Sequence, residues 1–245
     1  MPELVISGIR QHQHRGREKP VHDQLLGSTQ PVLSISLEPG ESIVAQTAEF
    51  AWMTDSIQMA AGPAGLSAYT AKDSAGTIAF AARLPGSIVC LEISPDREYL
   101  VHRRGLLAGT PGIEVTVGFQ QPLRTASLAD GSEFVLQRVG GCGRAWVDLS
   151  GDVVRRDLVT GTSLRTLPWH IGICEASVAV QMAELSESAV SRPGSDAHFF
   201  AVLSGPGSVW LQSMPLLAGP LRSLATDLVL GGPAVEGAAG PPRPR

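Results

Sequence analysis

The side chains with the most chemistry to offer are six histidines and three cysteines, and their spacing decides whether they can act together. A metal-dependent β enzyme needs two or three histidines and a carboxylate converging from adjacent strands. Only His12 and His14 have the i, i+2 spacing that puts two rings on one face of a strand. They lie in a polar arm, and two ligands without a third make a weak site. His22, His102, His170 and His198 stand far apart along the chain. Cys90, Cys142 and Cys174 are odd in number and share no close spacing, which suggests neither a disulfide framework nor a metal knuckle and fits a reducing compartment. Cys90, inside the run Ile88-Val89-Cys90-Leu91, reads as a small core residue. Cys142, in Gly140-Gly141-Cys142-Gly143, reads as the more exposed thiol, with no histidine near it in sequence to activate it. The stretch Gly205-Pro206-Gly207-Ser208 lacks the lysine and helix of a phosphate loop, and no nucleophile elbow is present. The residues therefore predict no catalytic, cofactor-binding or metal-ligating set.

Charge narrows the partners. Nineteen Lys plus Arg against 23 Asp plus Glu give a net charge of -4, so nucleic acid is not expected unless the arginines gather on one face. Two arginine pairs, Arg103-Arg104 and Arg155-Arg156, read as a solvated rim or a surface contact with another subunit. Trp52, Trp146 and Trp210 fall in strand-like runs and read as packing or interface residues. The chain is 43% hydrophobic and 17% charged with 27 Gly and 18 Pro, the make-up of a turn-rich globular protein. No run approaches the roughly 18–20 apolar residues of a membrane-spanning helix. The N-terminus lacks the long apolar core of a secretory signal, and Glu18 and Asp23 spoil a mitochondrial presequence, so a cytoplasmic address is expected.

The elements that must position these residues are strands. Apolar residues alternate in Leu33, Ile35, Leu37 and in Ile113, Val115, Val117, and Pro-Gly or Pro-Asp pairs punctuate the runs. Three segments share one frame: Leu37, Ile93 and Leu158 align, then Ile43, Tyr99 and Leu164, then Trp52, Ala108 and Ile173, then Ile57, Ile113 and Val178. A second module is anchored on Gly86, Gly143 and Gly207, preceded at eight positions by Ile78, Val135 and Phe199. Gly40, Gly86, Gly143 and Gly207 are predicted structural turns, with glycine supplying the backbone freedom that a tight turn needs. The expected fold is all-β: three tandem β repeats forming a β-sandwich or double-stranded β-helix-like single domain, with approximate internal threefold symmetry around one shared core. The expected organisation is an N-terminal strand and polar arm over 1–29, a three-repeat domain over 30–218 with units of about 30–91, 92–148 and 149–214, and a short helix with a disordered Pro/Gly-rich tail over 219–245. Residues 187–196 read as a surface loop.

The ordered runs LSISLEPGE (33–41), LPGSIVCL (84–91), LLAGTPGIEVTV (106–117) and LSGPGSVWLQ (203–212) resemble the altered-inheritance-of-mitochondria protein 24 family. The resemblance covers roughly residues 30–215. It implies a repeated β-sandwich or double-stranded β-helix similar in fold to the tryptophan RNA-binding attenuation protein, often an oligomer, with no catalytic residues to carry over. Relatives carry a long Gly-rich insertion where Ala60 to Gly76 is short and nearly uncharged here. The expected function is a non-enzymatic β scaffold or binding module acting as a homo-oligomer, with self-association, a protein partner or a membrane-peripheral contact as its partners. The alternatives are a metal-dependent β-helix enzyme built on His102, His170 or His198, and an RNA-binding protein by analogy with the attenuation-protein fold.

Overall fold

The computed structural model describes residues 21–122, 133–184 and 199–214. The expectations for His12, His14, His198, the 187–196 loop and the 219–245 tail lie outside these residues. Every regular element described is a strand or a short 3-10 turn. His22–Leu26 (β1) comes first, followed by Val32–Leu37 (β2), Ser42–Ala45 (β3), Phe50–Met53 (β4), Ile57–Ala61 (β5), Ser67–Ala71 (β6) and Gly76–Ala81 (β7). Next come Gly86–Ile93 (β8), Tyr99–His102 (β9), Leu106–Gly109 (β10), Ile113–Pro122 (β11), Glu133–Gly141 (β12) and Gly143–Ser150 (β13). The last are Val153–Leu158 (β14), Ser163–Thr166 (β15), Ile171–Glu175 (β16), Ala179–Glu184 (β17), Phe199–Ser204 (β18) and Gly207–Gln212 (β19).

One hydrogen-bonding order occurs in all three runs of strands. β7 lies between β2 and β4, β13 between β8 and β10, and β19 between β14 and β16. Likewise β6 lies between β3 and β5, β12 between β9 and β11, and β18 between β15 and β17. A register shift follows the first residue of β4, β10 and β16 alike, at Phe50/Trp52, Leu106/Ala108 and Ile171/Ile173. Such bulges turn a strand without ending it. Two further ladders join the runs, β3 to β10 and β9 to β16. The product is four antiparallel sheets: a four-stranded sheet (β1-β2-β7-β4), two of six strands (β5-β6-β3-β10-β13-β8 and β11-β12-β9-β16-β19-β14) and a three-stranded sheet (β15-β18-β17). None closes on itself.

The sheets stack in that order, because alternate residues of each inner sheet enter different cores. Ile43, Ala45 and Trp146 of the second sheet pack with Leu33, Ile35 and Phe80 of the first. From the opposite face of the second sheet, Val44, Val147 and Leu149 pack with Val101 and Ile173 of the third. Leu100 and Cys174 of the third pack with Ala201 and Leu203 of the fourth. Both inner sheets are thus buried on two faces, the condition that erases simple polar/apolar alternation.

Three expectations need correction. The core is not one shared volume: Ile57, Ile113 and Val178, though all buried, belong to the first, second and third cores respectively. Gly86 does not match Gly143 and Gly207, since it opens β8 whereas they open the central strands β13 and β19. Their counterpart in the first run is Gly76, which opens β7. The error arises because Gly-Ser-Ile-Val and Gly-Ser-Val-Trp both read as a glycine entering an apolar strand, and sequence does not say which strand is central. β8 also crosses the expected boundary at residue 91 and bonds to β13, not to the preceding strands.

Candidate functional site

β4 is the strand whose composition and setting disagree. Phe50-Ala51-Trp52-Met53 has no charge, proline or glycine, yet all four residues are exposed, Trp52 at 49%. β10 and β16 hold the same place beside β13 and β19, and every residue of β10 is buried, as are Ile171 to Cys174 of β16. The difference is one neighbour. β10 is flanked by β13 and β3, and β16 by β19 and β9, whereas β4 has only β7. Its other edge presents main-chain N–H and C=O groups without a ladder partner among the described residues. Phe50 is anchored from below, its ring stacked on the buried Tyr69 at 5.9 Å. Leu25, Leu26 and Met59, on β1 and β5, are the other exposed large apolar residues of this part of the chain.

A second open edge lies at the far end of the stack. Among the described residues β15 (Ser163-Leu164-Arg165-Thr166) bonds to β18 alone, whereas β3 and β9, which stand beside β6 and β12 as β15 stands beside β18, each have a second partner. Leu164 lies half-buried against the third core. Of the other edge strands, β14 carries Arg155, Arg156 and Asp157, the charged dressing that discourages strand addition, whereas β5 is uncharged and exposed at four of its five residues.

A buried polar cluster fixes the entry to β4. Glu49 ends the 3-10 turn Thr47–Glu49 immediately before it, is buried, and pairs with Arg83. The Arg83 backbone N–H donates to Asp148 Oδ2 at 3.0 Å, and its Nη2 donates to the Arg104 carbonyl at 3.2 Å. Burial pushes the Asp148 carboxyl above its ordinary range, against the Arg83 N–H bond that favours its charged form. Glu49 Oε2, Arg83 Nε and Asp148 Oδ1 have no partner among the described residues. This cluster ties the entry of β4 to β13.

The residues singled out in the sequence do not converge. His102 is buried beside Phe134 and Trp169, with ring centroids at 6.2 and 6.5 Å. Burial, reinforced by Arg104, Arg83 and Arg103, lowers its pKa to about 4, so it is neutral at pH 7. Its Nδ1 accepts from the Arg104 N–H at 3.4 Å. His170 Nδ1 instead donates to the Gln212 carbonyl at 2.8 Å, and His22 is exposed on β1. No group of three or more metal-ligating side chains is found among the described residues. Cys174 is buried, its thiol pushed up to about 12 by desolvation. Cys142 is exposed as expected, but Cys90 is exposed too, contrary to its reading as a core residue. Cys90 follows Ile88 on the same face of edge strand β8, at a point the narrower first sheet does not cover.

Arg103 and Arg104 are exposed in the turn between β9 and β10, and Arg155 and Arg156 on edge strand β14. Arg155 is committed locally, lying over the Trp210 ring at 5.2 Å and bonding Asp157 and Ser208. Arg144 repeats the arrangement over buried Trp146 at 5.1 Å, while Asp23 of β1 accepts from both Arg144 and the Trp146 indole. Of the turn glycines, Gly40 has φ 85 in the β2–β3 turn, and Gly143 and Gly207 have φ 138 and 139 at the starts of their strands. Gly86 is hemmed in, a Cβ there falling 2.0 Å from the Leu149 carbonyl oxygen. The sequence reading missed Phe50, Met53, Glu49, Arg83 and Asp148. An uncharged Phe-Ala-Trp-Met strand was the available signal, but it reads as ordinary core until its neighbours are known.

The family model described as Mitochondrial biogenesis AIM24 matches residues 24–214. The crystal structure of a Streptococcus pyogenes protein from a structural genomics programme is similar in fold, with a TM-score of 0.67 at 16% identity, covering 86% of this chain and 99% of that one. No curated protein matches the chain. No helix among the described residues is long and apolar enough to cross a membrane.

Proposed function

The chain belongs to the mitochondrial biogenesis AIM24 family, and from that premise we propose that it is a non-enzymatic β scaffold that works by association, as a homo-oligomer in the cytoplasm. The observation that carries this reading is the open edge of β4, where Phe50, Trp52 and Met53 stand exposed on a strand with free main-chain groups. Strand addition to such an edge supplies affinity through main-chain hydrogen bonds and specificity through side-chain pockets. A bare apolar edge is also an aggregation hazard, which a dedicated partner removes. We read the recurring strand order as three copies of one six-strand unit related by approximate symmetry. The exposed, unpaired Cys90 and Cys142 suit a reducing compartment.

The test is mass in solution. Light scattering across the micromolar range should give a mass above the 25.7 kDa of one chain, rising with concentration. The double substitution Phe50→Ser, Trp52→Ser should return the 25.7 kDa species with its far-ultraviolet circular dichroism intact. A monomer at every concentration would remove the oligomeric part of the reading.

A further inference from the structure

We infer that the partner of the β4 edge is the β15 edge of a second copy of this chain, so that copies join head to tail. The inference rests on the association reading above and specifies its contact. The two edges are complementary halves of a junction the chain makes twice within itself. β3 pairs with β10, and β9 with β16, each joining one run of strands to the next. Continuing that order, β15 is the strand that should receive a β10-like neighbour, and β4 is the β10-like strand that lacks a β3-like one.

The internal junctions also fix the register. Ala108 faces Ala45 at the first and Ile173 faces Val101 at the second. One residue on, Gly109 faces Val44 and Cys174 faces Leu100. Trp52 occupies the place of Ala108 and Ile173, each the third residue of its strand and each just past the register shift. Thr166 occupies the place of Ala45 and Val101 in the frame that aligns Ile43, Tyr99 and Leu164. Trp52 of one copy therefore falls opposite Thr166 of the next, and Met53 opposite Arg165.

Packing points the same way. Ala108 lies in the first core and Ile173 in the second, each covering the core that precedes its own junction. By that order Trp52 of an incoming copy would cover the third core, whose margin holds the half-buried Leu164, Val180, Met182 and Phe199. The contact is heterologous, so it generates a ring if the rotation closes and a filament if it does not.

Cysteine cross-linking separates this contact from any other. In a background carrying Cys90→Ser and Cys142→Ser, Trp52→Cys protein mixed with Thr166→Cys protein, and Met53→Cys mixed with Arg165→Cys, are oxidised and sized under denaturing conditions. Opposed residues in an antiparallel ladder alternate between Cα separations of about 4.5 and 5.5 Å, both within disulfide reach, so at least one mixture should give a cross-linked dimer. Each variant oxidised alone should not, and Trp52→Cys mixed with Leu164→Cys, out of register, should cross-link at least tenfold less. Dimer from Trp52→Cys alone would mean a symmetric β4 contact and overturn the inference. So would an intramolecular disulfide in one chain carrying both Trp52→Cys and Thr166→Cys, since the chain would then close on itself. Oligomers by light scattering without cross-linking in either mixture would overturn the contact while leaving the association reading standing, and monomers throughout would remove both.

Discussion

β4 and β16 occupy the same place in their runs of strands, enter it through the same kind of 3-10 turn and carry the same bulge, yet one is exposed along its length and the other is buried. Their composition does not account for the difference. Phe-Ala-Trp-Met is more apolar in bulk than Ile-Gly-Ile-Cys-Glu. What differs is whether a strand from the preceding run arrives on the second edge, as β9 does for β16. Burial is here a property of position in the series, and β4 has no such second neighbour among the described residues. The same reasoning explains β15, the counterpart of β3 and β9, which has no second partner among the described residues.

The largest expected effect sets the two strands against each other directly. Ile173→Asp places a carboxylate between two packed sheets and should cost on the order of 5 kcal/mol, leaving little folded protein. Trp52→Asp, at the corresponding place on β4, should change the stability of the single chain by about 1 kcal/mol or less while abolishing its association. Urea denaturation of both variants checks this, and equal losses would break the comparison.

Next in size is a pH effect confined to the buried junction. Between about pH 6.5 and 4, the His102 imidazole is protonated in the unfolded chain but not in the folded one, so protons favour unfolding. Stability should be fully present above about pH 6.5 and fall by on the order of 3 kcal/mol toward pH 4. His102→Phe should flatten that slope in denaturation curves taken at a series of pH values.

A smaller effect distinguishes the glycines that open the central strands. At Gly76 a Cβ would meet Ser56 Oγ at 2.4 Å, and at Gly207 it would meet Ser177 Oγ at 2.6 Å, so the crowding is alike. Gly207 adds a φ of 139 that alanine tolerates poorly. Gly207→Ala should therefore cost about 1 kcal/mol more than Gly76→Ala, each by thermal melting. An effect of similar size concerns the two stacked arginines. Arg144, mostly buried over Trp146, should cost about 1.5 kcal/mol when replaced by alanine, and the exposed Arg155 over Trp210 only about 0.5 kcal/mol.

Strand ends were legible because they are local: Pro39-Gly40 ends β2, and alternation marks Leu33, Ile35 and Leu37 as one buried face. Trp52, Ala108 and Ile173, which share a frame in the sequence, are all third residues of their strands. What the frame could not show is which edges meet, because a hydrogen-bonding partner depends on the order of layers and not on the strand itself. Thus Trp52 looked like Ala108 in sequence and differs from it wholly in burial. Cys90 failed for the same reason, its apolar neighbours Ile88 and Leu91 being covered while its own position on the sheet edge is not. The cluster of Glu49, Arg83 and Asp148 was invisible because its members come from three separate places in the chain.

The most direct test is amide hydrogen exchange followed along β4, β10 and β16 at concentrations spanning the association measured by light scattering. The account predicts that β10 and β16 are protected at every concentration, while the amides of β4 and β15 that face away from β7 and β18 exchange freely in the single chain and gain protection together, at least tenfold, as copies assemble. Protection of β4 equal to that of β10 in the single chain, or assembly that leaves β4 and β15 unprotected, would contradict it.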